Sequence, residues 1–510
     1  MPSIYITTPI YYVNAKPHIG HAYTTIVCDV CARFYRMLGY DVLFSTGTDE
    51  HGKKIEQSAN NAGIPPQLFT DNISRLFRDL LPVLNITNDD FIRTTEKRHK
   101  DVAAHFWSKL KSSGYIYLGE YSGWYDIRNE AYFAEDELVN GQSPLGGDVL
   151  YMTEECYFFK LSAFQDKLLD FYEKHPDFIF PIQRRNEVVS FVKSGLNDLA
   201  ISRTTFNWGI PVPDDPKHVI YVWLDALTNY ITVNNYPDCD QNNDAHWQNV
   251  IHFVGKEIVR FHAVYWPAFL MAADLNPPKQ IVSHGWWLSE GEKMSKSIGN
   301  VQDPVKYCML FGSDALRYFL LRELSFGEDG NFSLAGFIGR YNSILANAYG
   351  NLCNRVFSFV VKNCGSRVKR PTVLSEEDRE FVDSVATSLE DAISMFKQYA
   401  FNRYLEKLEY AMSLSNRYID SQKPWALMTS NPDRVGDVLF LAVEQIYKIT
   451  RLFYPVIPTS AEKVFQQLGI SDSMMTGINS EVLNEFEIHS IEALFPKIDQ
   501  AAKDFDVFAG

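Results

Sequence analysis

The chain has 510 residues, of which 46% are hydrophobic and 14% aromatic, which is enough apolar material for several cores and excludes general disorder. Its formal net charge of −15 means that any contact with a nucleic acid has to come from local basic patches. Seven cysteines in a chain of this length exclude a disulfide framework and indicate a reducing compartment.

The hydropathy and the start of the chain favour the cytoplasm. No run of about 18 uncharged apolar residues occurs, so we expect neither a membrane-spanning helix nor a membrane partner. The first residues, Met1–Tyr5, lack a basic segment followed by an apolar one, and no leader rich in arginine and serine precedes the fold. We therefore expect a cytoplasmic protein.

Strand and helix patterns alternate over residues 1–115. β-Branched and aromatic residues predict a strand over Ile4–Tyr12, and apolar spacing predicts a helix over His21–Leu38. A second strand is predicted at Asp41–Phe44, with helices at about Lys54–Ala62 and Pro66–Leu84. This alternation is typical of an α/β fold with a Rossmann-type, doubly wound parallel sheet.

The turn between the first strand and the first helix is a candidate phosphate site. Parallel sheets bind ligands at the carboxyl ends of their strands, and a helix N-terminus attracts anions. His18 and His21 can donate hydrogen bonds there, and Gly20 has no Cβ to keep a ligand away from the backbone. The alternative interpretation is a surface turn with two incidental histidines.

The segment Gly47–Gly52 offers two interpretations of its own. The sequence from this segment onward matches the pattern of a phosphate-binding P-loop except at the last position. There Lys54 stands in place of the Ser or Thr that holds magnesium, so we reject that motif. Asp49 is the better candidate, because a carboxylate at a strand end could bind an ammonium group. A turn or N-capping aspartate is the alternative.

Residues 116–217 are dense in aromatic residues and contain glycine and proline breakers, which indicates an insert. Cys156 is the only cysteine in that segment. Cys28 and Cys31 form a pair one turn apart within the first predicted helix, and with no partner pair they indicate core cysteines.

The strand and helix alternation resumes after the insert. We predict a strand followed by a helix over Val219–Tyr230, resuming the sheet, then a strand at Ile251–Val254, a helix at Glu257–Ala272 and a strand at Ile281–Trp287. A small polar loop with two lysines three residues apart, Lys293-Met294-Ser295-Lys296-Ser297, follows and could act as a mobile cationic clamp. A solvated charged loop is the alternative.

Helical spacing dominates from about Leu334 onward. Apolar residues recur at helical intervals in long segments, and Ser375 to Asp378 has the pattern of a capping box. These segments predict an all-α helical bundle. The segments are Leu352–Lys362, Phe381–Phe396, Tyr404–Tyr418 and Val438–Phe453.

Two motifs carry a resemblance to a known family. His18-Ile19-Gly20-His21 and the segment Lys293–Ser297 resemble, without substitution and in the expected order, the two signatures of class I aminoacyl-tRNA synthetases. The resemblance implies ATP with Mg²⁺ as a substrate, and ATP contacts from both motifs. It also implies catalytic roles for His18, His21, Lys293, Lys296, Asp49 and Arg203, with Asp49 holding the α-ammonium group of the amino acid.

Three further segments, Pro9–Asn14, Tyr221–Ala226 and Gly255–His262, resemble methionyl-tRNA synthetases. Aromatic side chains around a polarizable thioether suit methionine, by about 0.3–1.5 kcal/mol per contact. Helical spacing alone would make the same residues ordinary core. The resemblance implies a methionine pocket of Ile10, Tyr12, Asp49, Trp223, Ala226, Leu227, Tyr230, Ile258, His262 and Trp266, with Leu227 where some relatives have proline.

The resemblance extends to the bundle, where Asn351, Arg355 and Trp425 match the residues that read the CAU anticodon. An exposed tryptophan can stack on an unpaired base while Asn and Arg bind base edges, although Trp425 after Pro424 could also be a core residue. The expected partners are L-methionine, ATP and tRNA(Met), including the initiator tRNA, and we expect a monomer. Relatives specific for methionine often carry zinc knuckles of paired cysteines in the insert. Here Tyr125-Asp126-Ile127-Arg128 stands where such a pair might be, so we expect no structural zinc and no metal site.

The resemblance implies five segments: a first Rossmann half at 1–115, a connective insert at 116–217, a second Rossmann half at 218–290, a region of the lysine loop and stem contact at 291–345, and an anticodon-binding bundle at 346–510. Three alternatives stay open. An isoleucine, leucine or valine synthetase would need a larger insert than about 100 residues. A paralogue that only binds tRNA would not need both signatures. A pantothenate- or nucleotidyl-transferring relative would not need the bundle.

Overall fold

The computed structural model describes residues 1–126, 131–133, 135–144, 146–289, 291–294, 300–470 and 483–499. The chain forms two units. Unit 1 consists of Met1–Pro17, Asp41–Pro82 and Ile86–His284, and unit 2 of His18–Tyr40, Val83–Asn85 and Gly285–Gly510. The chain thus passes from unit 1 to unit 2 at the predicted phosphate site, between Pro17 and His18.

The strands, in chain order, are β1 (Ser3–Thr7), β2 (Tyr11–Tyr12), β3 (Asp41–Asp49), β4 (Asp90–Arg93), β5 (Ile116–Asp126), β6 (Ala131–Phe133), β7 (Val149–Phe159), β8 (Ile179–Phe180), β9 (Leu199–Ala200), β10 (Ser202–Arg203), β11 (Pro211–Val212), β12 (Asp215–Ile220), β13 (Val250–Gly255), β14 (Gln280–His284), β15 (Trp287–Ser289), β16 (Glu292–Lys293), β17 (Gly330–Phe332), β18 (Arg367–Lys369) and β19 (Glu485–Glu487).

The α-helices are α1 (Ile19–Met37), α2 (Lys53–Ala62), α3 (Pro66–Val83), α4 (Lys97–Ser112), α5 (Gln165–Lys174), α6 (Ile182–Lys193), α7 (Val222–Leu227), α8 (Asn229–Val233), α9 (Trp266–Ala272), α10 (Pro304–Phe311), α11 (Ser313–Arg322), α12 (Leu334–Arg340), α13 (Asn351–Asn363), α14 (Glu376–Lys397), α15 (Phe401–Gln422), α16 (Pro424–Ser430), α17 (Pro432–Phe453) and α18 (Pro458–Gln467). Wider π-helical turns occupy Phe261–Tyr265 and Tyr341–Gly350. Among the described helices, none has an apolar stretch long enough to cross a membrane.

The central sheet of unit 1 is parallel at every pairing among its described strands. β1 lies between β3 and β13, β14 follows β13, and β8 pairs with β14, while β2 and β4 also pair with β3. This arrangement, with the helical C-terminal region of unit 2, confirms the predicted fold class. β8 is notable because it comes from the segment predicted as the insert.

The structure corrects two predicted strands at the start of unit 1. The strand predicted over Ile4–Tyr12 is interrupted around Pro9, which has no N–H to give to a ladder. β3 extends to Asp49 instead of ending at Phe44, because β4 and β2 continue to pair with it. Gly47 makes the β4 pairing possible, since a Cβ there would lie 2.0 Å from the carbonyl oxygen of Ile92. This glycine serves strand packing, in agreement with the rejection of a P-loop.

The prediction that Val219 to Tyr230 resumes the sheet with a strand is wrong. β12 pairs antiparallel with β10 and β11 in a separate sheet, and the central sheet resumes only at β13. The predicted strand over Ile281–Trp287 likewise ends at His284. β12 begins with three residues that are not buried and ends with three buried ones, a pattern that an antiparallel sheet accommodates and a central parallel strand does not.

The segment predicted as the insert contains an antiparallel sheet in the order β6-β5-β7-β9. Cys156 lies on β7, is buried, and packs with Phe158 and Ala200, so its surroundings are apolar. Among the described residues, no group of three or more His, Cys, Asp or Glu side chains is arranged to hold a metal ion. Ile127 and Arg128, where we looked for a cysteine pair, lie outside the described residues.

Unit 2 contains α1 and the helical bundle. Cys28 and Cys31 are both buried on α1, which confirms them as core residues. The bundle is dominated by α14, α15 and α17, which each have 22 residues, contain the predicted helical segments and extend beyond them. The predicted capping box is confirmed: Asp378 N donates to Ser375 Oγ at 3.2 Å, and Ser375 N donates to Asp378 Oδ2 at 3.0 Å.

A buried ion pair holds α1 within unit 2. Arg317 of α11 is fully buried and donates from Nη2 to Asp29 of α1 at 2.7 Å, while its Nε donates to the carbonyl of Val456 at 3.0 Å. Arg33, one turn further along α1, also donates to Asp29 at 2.8 Å. A guanidinium with this many acceptors is satisfied in the core, so these bonds fix the direction of α1 and of the two histidines at its N-terminus.

Candidate functional site

The two histidines cap the N-terminus of α1. His18 is the N-cap residue, and its Nδ1 accepts a hydrogen bond from Gly20 N at 3.0 Å. His21 Nδ1 accepts from His18 N at 3.1 Å, and the two rings lie 3.9 Å apart. Gly20 has a further role that the sequence did not indicate: a Cβ there would lie 2.8 Å from Cε1 of His18. The glycine therefore makes room for the imidazole.

These bonds decide where the protons are. Burial, and to a smaller degree His18, holds the pKa of His21 well below its ordinary value, so the ring is neutral at pH 7. Because Nδ1 of each ring accepts a backbone N–H, the proton of the neutral imidazole is on Nε2 in both. The N-terminus of α1 thus carries two fixed N–H donors, which suits the oxygens of a phosphate group.

The lysine loop lies partly outside the described residues. Lys293 ends β16, which pairs with β15, and Met294 follows it, but Ser295, Lys296 and Ser297 are not described. Beyond the gap, the carbonyl of Gln302 accepts from Ile19 N at 3.1 Å. The described chain on the far side of the lysine loop is therefore bonded directly to the first residue of α1.

Asp49 occupies the carboxyl end of β3 in unit 1. It is 7% exposed, lies opposite Tyr12 of β2, and its carbonyl accepts from Val13 N at 3.2 Å. The N-capping alternative does not hold, because Gly52 is the N-cap residue of α2. A buried carboxylate at this edge of the sheet can pair with an ammonium group.

The predicted methionine residues of unit 1 centre on a hydrogen-bonded pair. Tyr230 and His262 are both 1% exposed, and the Tyr230 hydroxyl lies 2.8 Å from His262 Nε2. His262 Nδ1 lies 3.0 Å from the carbonyl oxygen of Ile258, which can only accept, so Nδ1 carries the proton and Tyr230 donates to Nε2. Burial lowers the pKa of His262 to about 4 and keeps this ring neutral.

Aromatic side chains surround the pair. The ring of Trp223 stacks on that of Phe261, with 3.6 Å between the ring centres, and meets the His262 ring edge-on at 6.3 Å. The ring centres of Trp266 and Tyr230 lie 6.2 Å apart. Phe261 belongs to the segment Gly255–His262 that carries the resemblance, but it is not among the pocket residues predicted from the sequence. The π-helical turn at Phe261–Tyr265 is a feature often found at functional sites.

Most of the predicted pocket belongs to one apolar cluster. Ala226, which is 5% exposed, precedes Leu227 on α7. The cluster includes or contacts Ile10, Trp223, Leu227, Tyr230, Ile258 and Trp266. Tyr12 differs, because it packs against the neighbouring cluster of Tyr11, Val13, Ile55 and Phe77. Tyr12 is thus on the side of Asp49, at the polar end of the predicted site.

Arg203 is 3% exposed on β10. Its guanidinium lies 4.5 Å from the centre of the Tyr221 ring and donates to the carbonyl of Ser202 at 2.7 Å. Tyr221 immediately precedes α7, so Arg203 supports the start of the helix that carries Trp223.

The predicted anticodon residues lie at the surface of unit 2. Asn351 is exposed at the start of α13, and Arg355 donates to Asp420 at 2.7 Å and to Asn416 at 3.1 Å, both on α15. Trp425 is the second residue of α16, just after α15, and is 49% exposed, so it is not the core tryptophan of the alternative interpretation. An exposed indole of this kind can stack on an unpaired base.

Comparison with known protein families identifies the class of protein to which this chain belongs. Residues 4–149 and 135–357 match the family of class I tRNA synthetases (M), and residues 368–509 match the anticodon-binding domain of methionyl-tRNA ligase. The chain is 52% identical over 471 residues to the methionine–tRNA ligase of Rickettsia felis, covering 92% of each chain. It is 50% identical to that of Brucella suis, covering 91% of this chain and 92% of the relative.

Solved structures agree. A crystal structure of Mycobacterium tuberculosis methionyl-tRNA synthetase bound by methionyl-adenylate matches with a TM-score of 0.92 and 42% identity, over 97% of this chain and 100% of that one. The free form of the same enzyme matches with a TM-score of 0.87 and 39% identity, over 98% and 99%. The chain belongs to the methionyl-tRNA synthetase family of class I aminoacyl-tRNA synthetases.

Proposed function

We propose that this chain is a methionine–tRNA ligase, which joins L-methionine to tRNA(Met) at the expense of ATP. The observation that carries the proposal is the 52% identity to a methionine–tRNA ligase over 92% of both chains. Further support comes from the buried Tyr230–His262 pair and the buried Asp49 carboxylate in unit 1, and from the two fixed N–H donors in unit 2. The substrates are methionine, ATP as its magnesium complex, and tRNA.

The reaction has two steps. A carboxylate oxygen of methionine attacks the α-phosphorus of ATP, the bond to the bridging oxygen breaks, and pyrophosphate leaves, giving methionyl-adenylate. The 2′-hydroxyl of the terminal adenosine of tRNA then attacks the methionyl carbonyl carbon, and AMP leaves. Positioning and charge stabilisation account for catalysis of such phosphoryl chemistry. A solved relative bound by methionyl-adenylate supports this intermediate.

We assign the methionine groups to unit 1. Asp49 pairs with the α-ammonium group. The thioether lies among Trp223, Ala226, Leu227, Ile258 and Trp266, with Ile10 and Tyr12 towards Asp49. Tyr230 and His262 form the polar pair of the pocket, and Arg203 is a positioning residue beneath Tyr221. Sulfur–aromatic contacts favour methionine over a branched aliphatic side chain.

We assign the triphosphate to unit 2. His18 and His21 donate from Nε2 to phosphate oxygens, and Gly20 belongs to the same turn. Since His21 is neutral, it contributes hydrogen bonds and no net charge, so we assign the protein's positive charge to Lys293 and Lys296, with Met294, Ser295 and Ser297 in the same loop. Magnesium would arrive with the phosphates, because the described residues hold no group of carboxylates arranged for a metal.

We assign the CAU anticodon to Asn351, Arg355 and Trp425, in both the initiator and the elongator tRNA. The anticodon-domain match over 368–509 includes Trp425 and supports the assignment of that residue, whereas Asn351 and Arg355 precede the matched range. We further propose a monomer, and a cytoplasmic reaction that supplies ribosomes.

Charging of purified tRNA tests the function. We expect methionyl-tRNA to form with tRNA(Met) in an ATP-dependent reaction, and a CAU-to-CAC change in the anticodon to abolish charging. Folded protein that binds tRNA(Met) but neither charges it nor catalyses ATP–pyrophosphate exchange would contradict the proposal and favour a binding-only paralogue. Light scattering at the assay concentration checks the monomer separately.

A further inference from the structure

A fully buried carboxylate in unit 1 joins two segments of the predicted methionine site. Asp225 is 0% exposed and lies on α7, between Trp223 and Ala226. One carboxylate oxygen is 2.6 Å from His51 Nδ1, and the other is 2.7 Å from His99 Nε2. The three side chains come from positions far apart in the sequence.

The direction of both hydrogen bonds is determined. A carboxylate can only accept, so His51 donates from Nδ1 and His99 donates from Nε2. Burial alone would raise the pKa of Asp225, but His51 and His99 together lower it to about 2, so the carboxylate is ionised throughout the physiological range. His99 is also fully buried, and a buried donor without its acceptor is costly.

His51 is two residues beyond Asp49, and the residue between them is fixed as well. Glu50 is fully buried and accepts from Arg93 at 2.7 and 2.9 Å, and from the hydroxyl of Thr48 at 2.7 Å. Glu50 N donates to Thr94 Oγ1 at 2.9 Å. The segment that follows Asp49 is therefore bonded to β4 through Glu50 and to α7 through His51.

We propose that Asp225 is a positioning residue for methionine: by holding His51 to α7, it sets the spacing between the Asp49 carboxylate and the side-chain pocket. This inference rests on the proposed function, in which Asp49 takes the ammonium group and α7 lines the thioether. A fixed spacing between these two points measures the length of the amino acid from ammonium to side chain. Displacements of about 1 Å at such points can cost about 100-fold in rate.

The test compares Asp225→Leu, which fills the same space without an acceptor, with Asp225→Asn, which keeps one. The assay is methionine-dependent ATP–pyrophosphate exchange on the full chain. We expect the KM for methionine to rise about tenfold or more in Asp225→Leu and by less in Asp225→Asn, with the KM for ATP within twofold of wild type. Asp126→Leu is the matched control, because Asp126 is equally buried in unit 1 but lies in the insert sheet.

A second ligand separates positioning from a general structural role. The desamino analogue of methionine, 4-methylthiobutanoate, keeps the thioether but has no ammonium group for Asp49. We expect its inhibition constant to change less than threefold in Asp225→Leu, while the KM for methionine rises. Equal weakening of both ligands, or a loss of thermal stability like that of Asp126→Leu with no change in KM, would overturn the inference. Absence of exchange by the wild-type chain would instead contradict the proposed function.

His51 gives an independent pair of variants in case Asp225→Leu does not fold. Asn places an amide nitrogen close to where His Nδ1 lies, whereas Ala removes the donor. We expect His51→Ala to raise the KM for methionine and His51→Asn to restore most of it. Equal KM values in these two variants would contradict a role for the hydrogen bond to Asp225.

Discussion

The proposed methionine pocket and the N-terminus of α1 each contain a neutral histidine, but its Nε2 accepts a hydrogen bond in the pocket and donates one at the helix. In unit 1, His262 Nδ1–H donates a hydrogen bond to the carbonyl of Ile258, so Nε2 accepts from Tyr230. In unit 2, His21 Nδ1 accepts from the backbone N–H of His18, so Nε2 is the donor. Burial lowers both pKa values and keeps both rings neutral.

The difference comes from the backbone group that Nδ1 meets. Inside a helical segment a side chain four residues on meets a carbonyl oxygen, and at a helix N-terminus it meets an unsatisfied N–H. Secondary structure therefore decides whether a neutral imidazole accepts or donates at its outer nitrogen. A donor suits phosphate oxygens, and an acceptor orients a tyrosine hydroxyl.

The largest effect on the reaction rate is expected from loss of the Nε2–H donor of His21 at the N-terminus of α1. His21→Asn keeps an acceptor near the position of Nδ1 but loses Nε2, whereas His21→Gln places an amide near Nε2. We expect His21→Asn to slow adenylate formation about 10²–10³-fold, the cost typical of losing one such donor, with His21→Gln less affected. Single-turnover formation of methionyl-adenylate measures this. Equal rates for the two variants would show that only the helix cap matters.

The second largest effect is expected at Asp49, the charged end of the proposed pocket. Asp49→Asn removes the negative charge that we assign to the ammonium group, and a hydrogen bond to a charged group contributes about 1.5–3 kcal/mol. We expect kcat/KM for methionine to fall about 10–100-fold in pyrophosphate exchange. The inhibition constant of 4-methylthiobutanoate should stay within threefold, and a comparable rise for that analogue would place the ammonium group elsewhere.

The predicted anticodon residues differ from both histidine sites, because their side chains are expected to contact tRNA bases at the protein surface. Base stacking on an aromatic side chain contributes about 1–3 kcal/mol, so Trp425→Ala should raise the KM for tRNA(Met) about tenfold. Pyrophosphate exchange should not change. Tyr410→Ala is the matched control, since Tyr410 is 51% exposed in the same unit. A similar rise in KM for the control would indicate a nonspecific surface effect.

The smallest effect is a pH dependence of the pocket. With a pKa of about 4, His262 gains a proton only in acid, and its Nε2 can then no longer accept from Tyr230. We expect the Kd for methionine, followed by tryptophan fluorescence, to be constant from pH 8 to about 5 and to rise a few-fold towards pH 4. Tyr230→Phe, which lacks the hydroxyl, should lose this dependence and so separate His262 from Asp49.

The low pKa of His262 also makes the free energy of unfolding depend on pH. The folded-state pKa of His262 lies below the ordinary value of 6.5, so the unfolded chain binds more protons between these pH values. The contribution of His262 to the free energy of unfolding is complete above pH 6.5 and is lost as the pH falls towards 4. Urea denaturation at pH 7 and pH 5 should therefore show a smaller pH effect in His262→Gln than in wild type.

The sequence predicted the fold class because strand and helix periods are local signals, and the capping box at Ser375 was equally local. The sheet assignment of β12 failed because pairing partners are a tertiary property. The link from Asp225 to His51 and His99 was missed for the same reason, although His51 and Asp225 both stand in segments that we had singled out. The polarity of His21 and His262 needed backbone geometry that no spacing conveys.

The amino-acid specificity of ATP–pyrophosphate exchange is the measurement to make first, because it reports on the proposed pocket and on adenylate formation together. Wild-type chain would be assayed separately with methionine, isoleucine, leucine, valine and cysteine at equal concentration. We expect rapid exchange with methionine and none above background with the three branched amino acids. Faster exchange with isoleucine, leucine or valine than with methionine would contradict the pocket of Tyr230, His262 and Trp223.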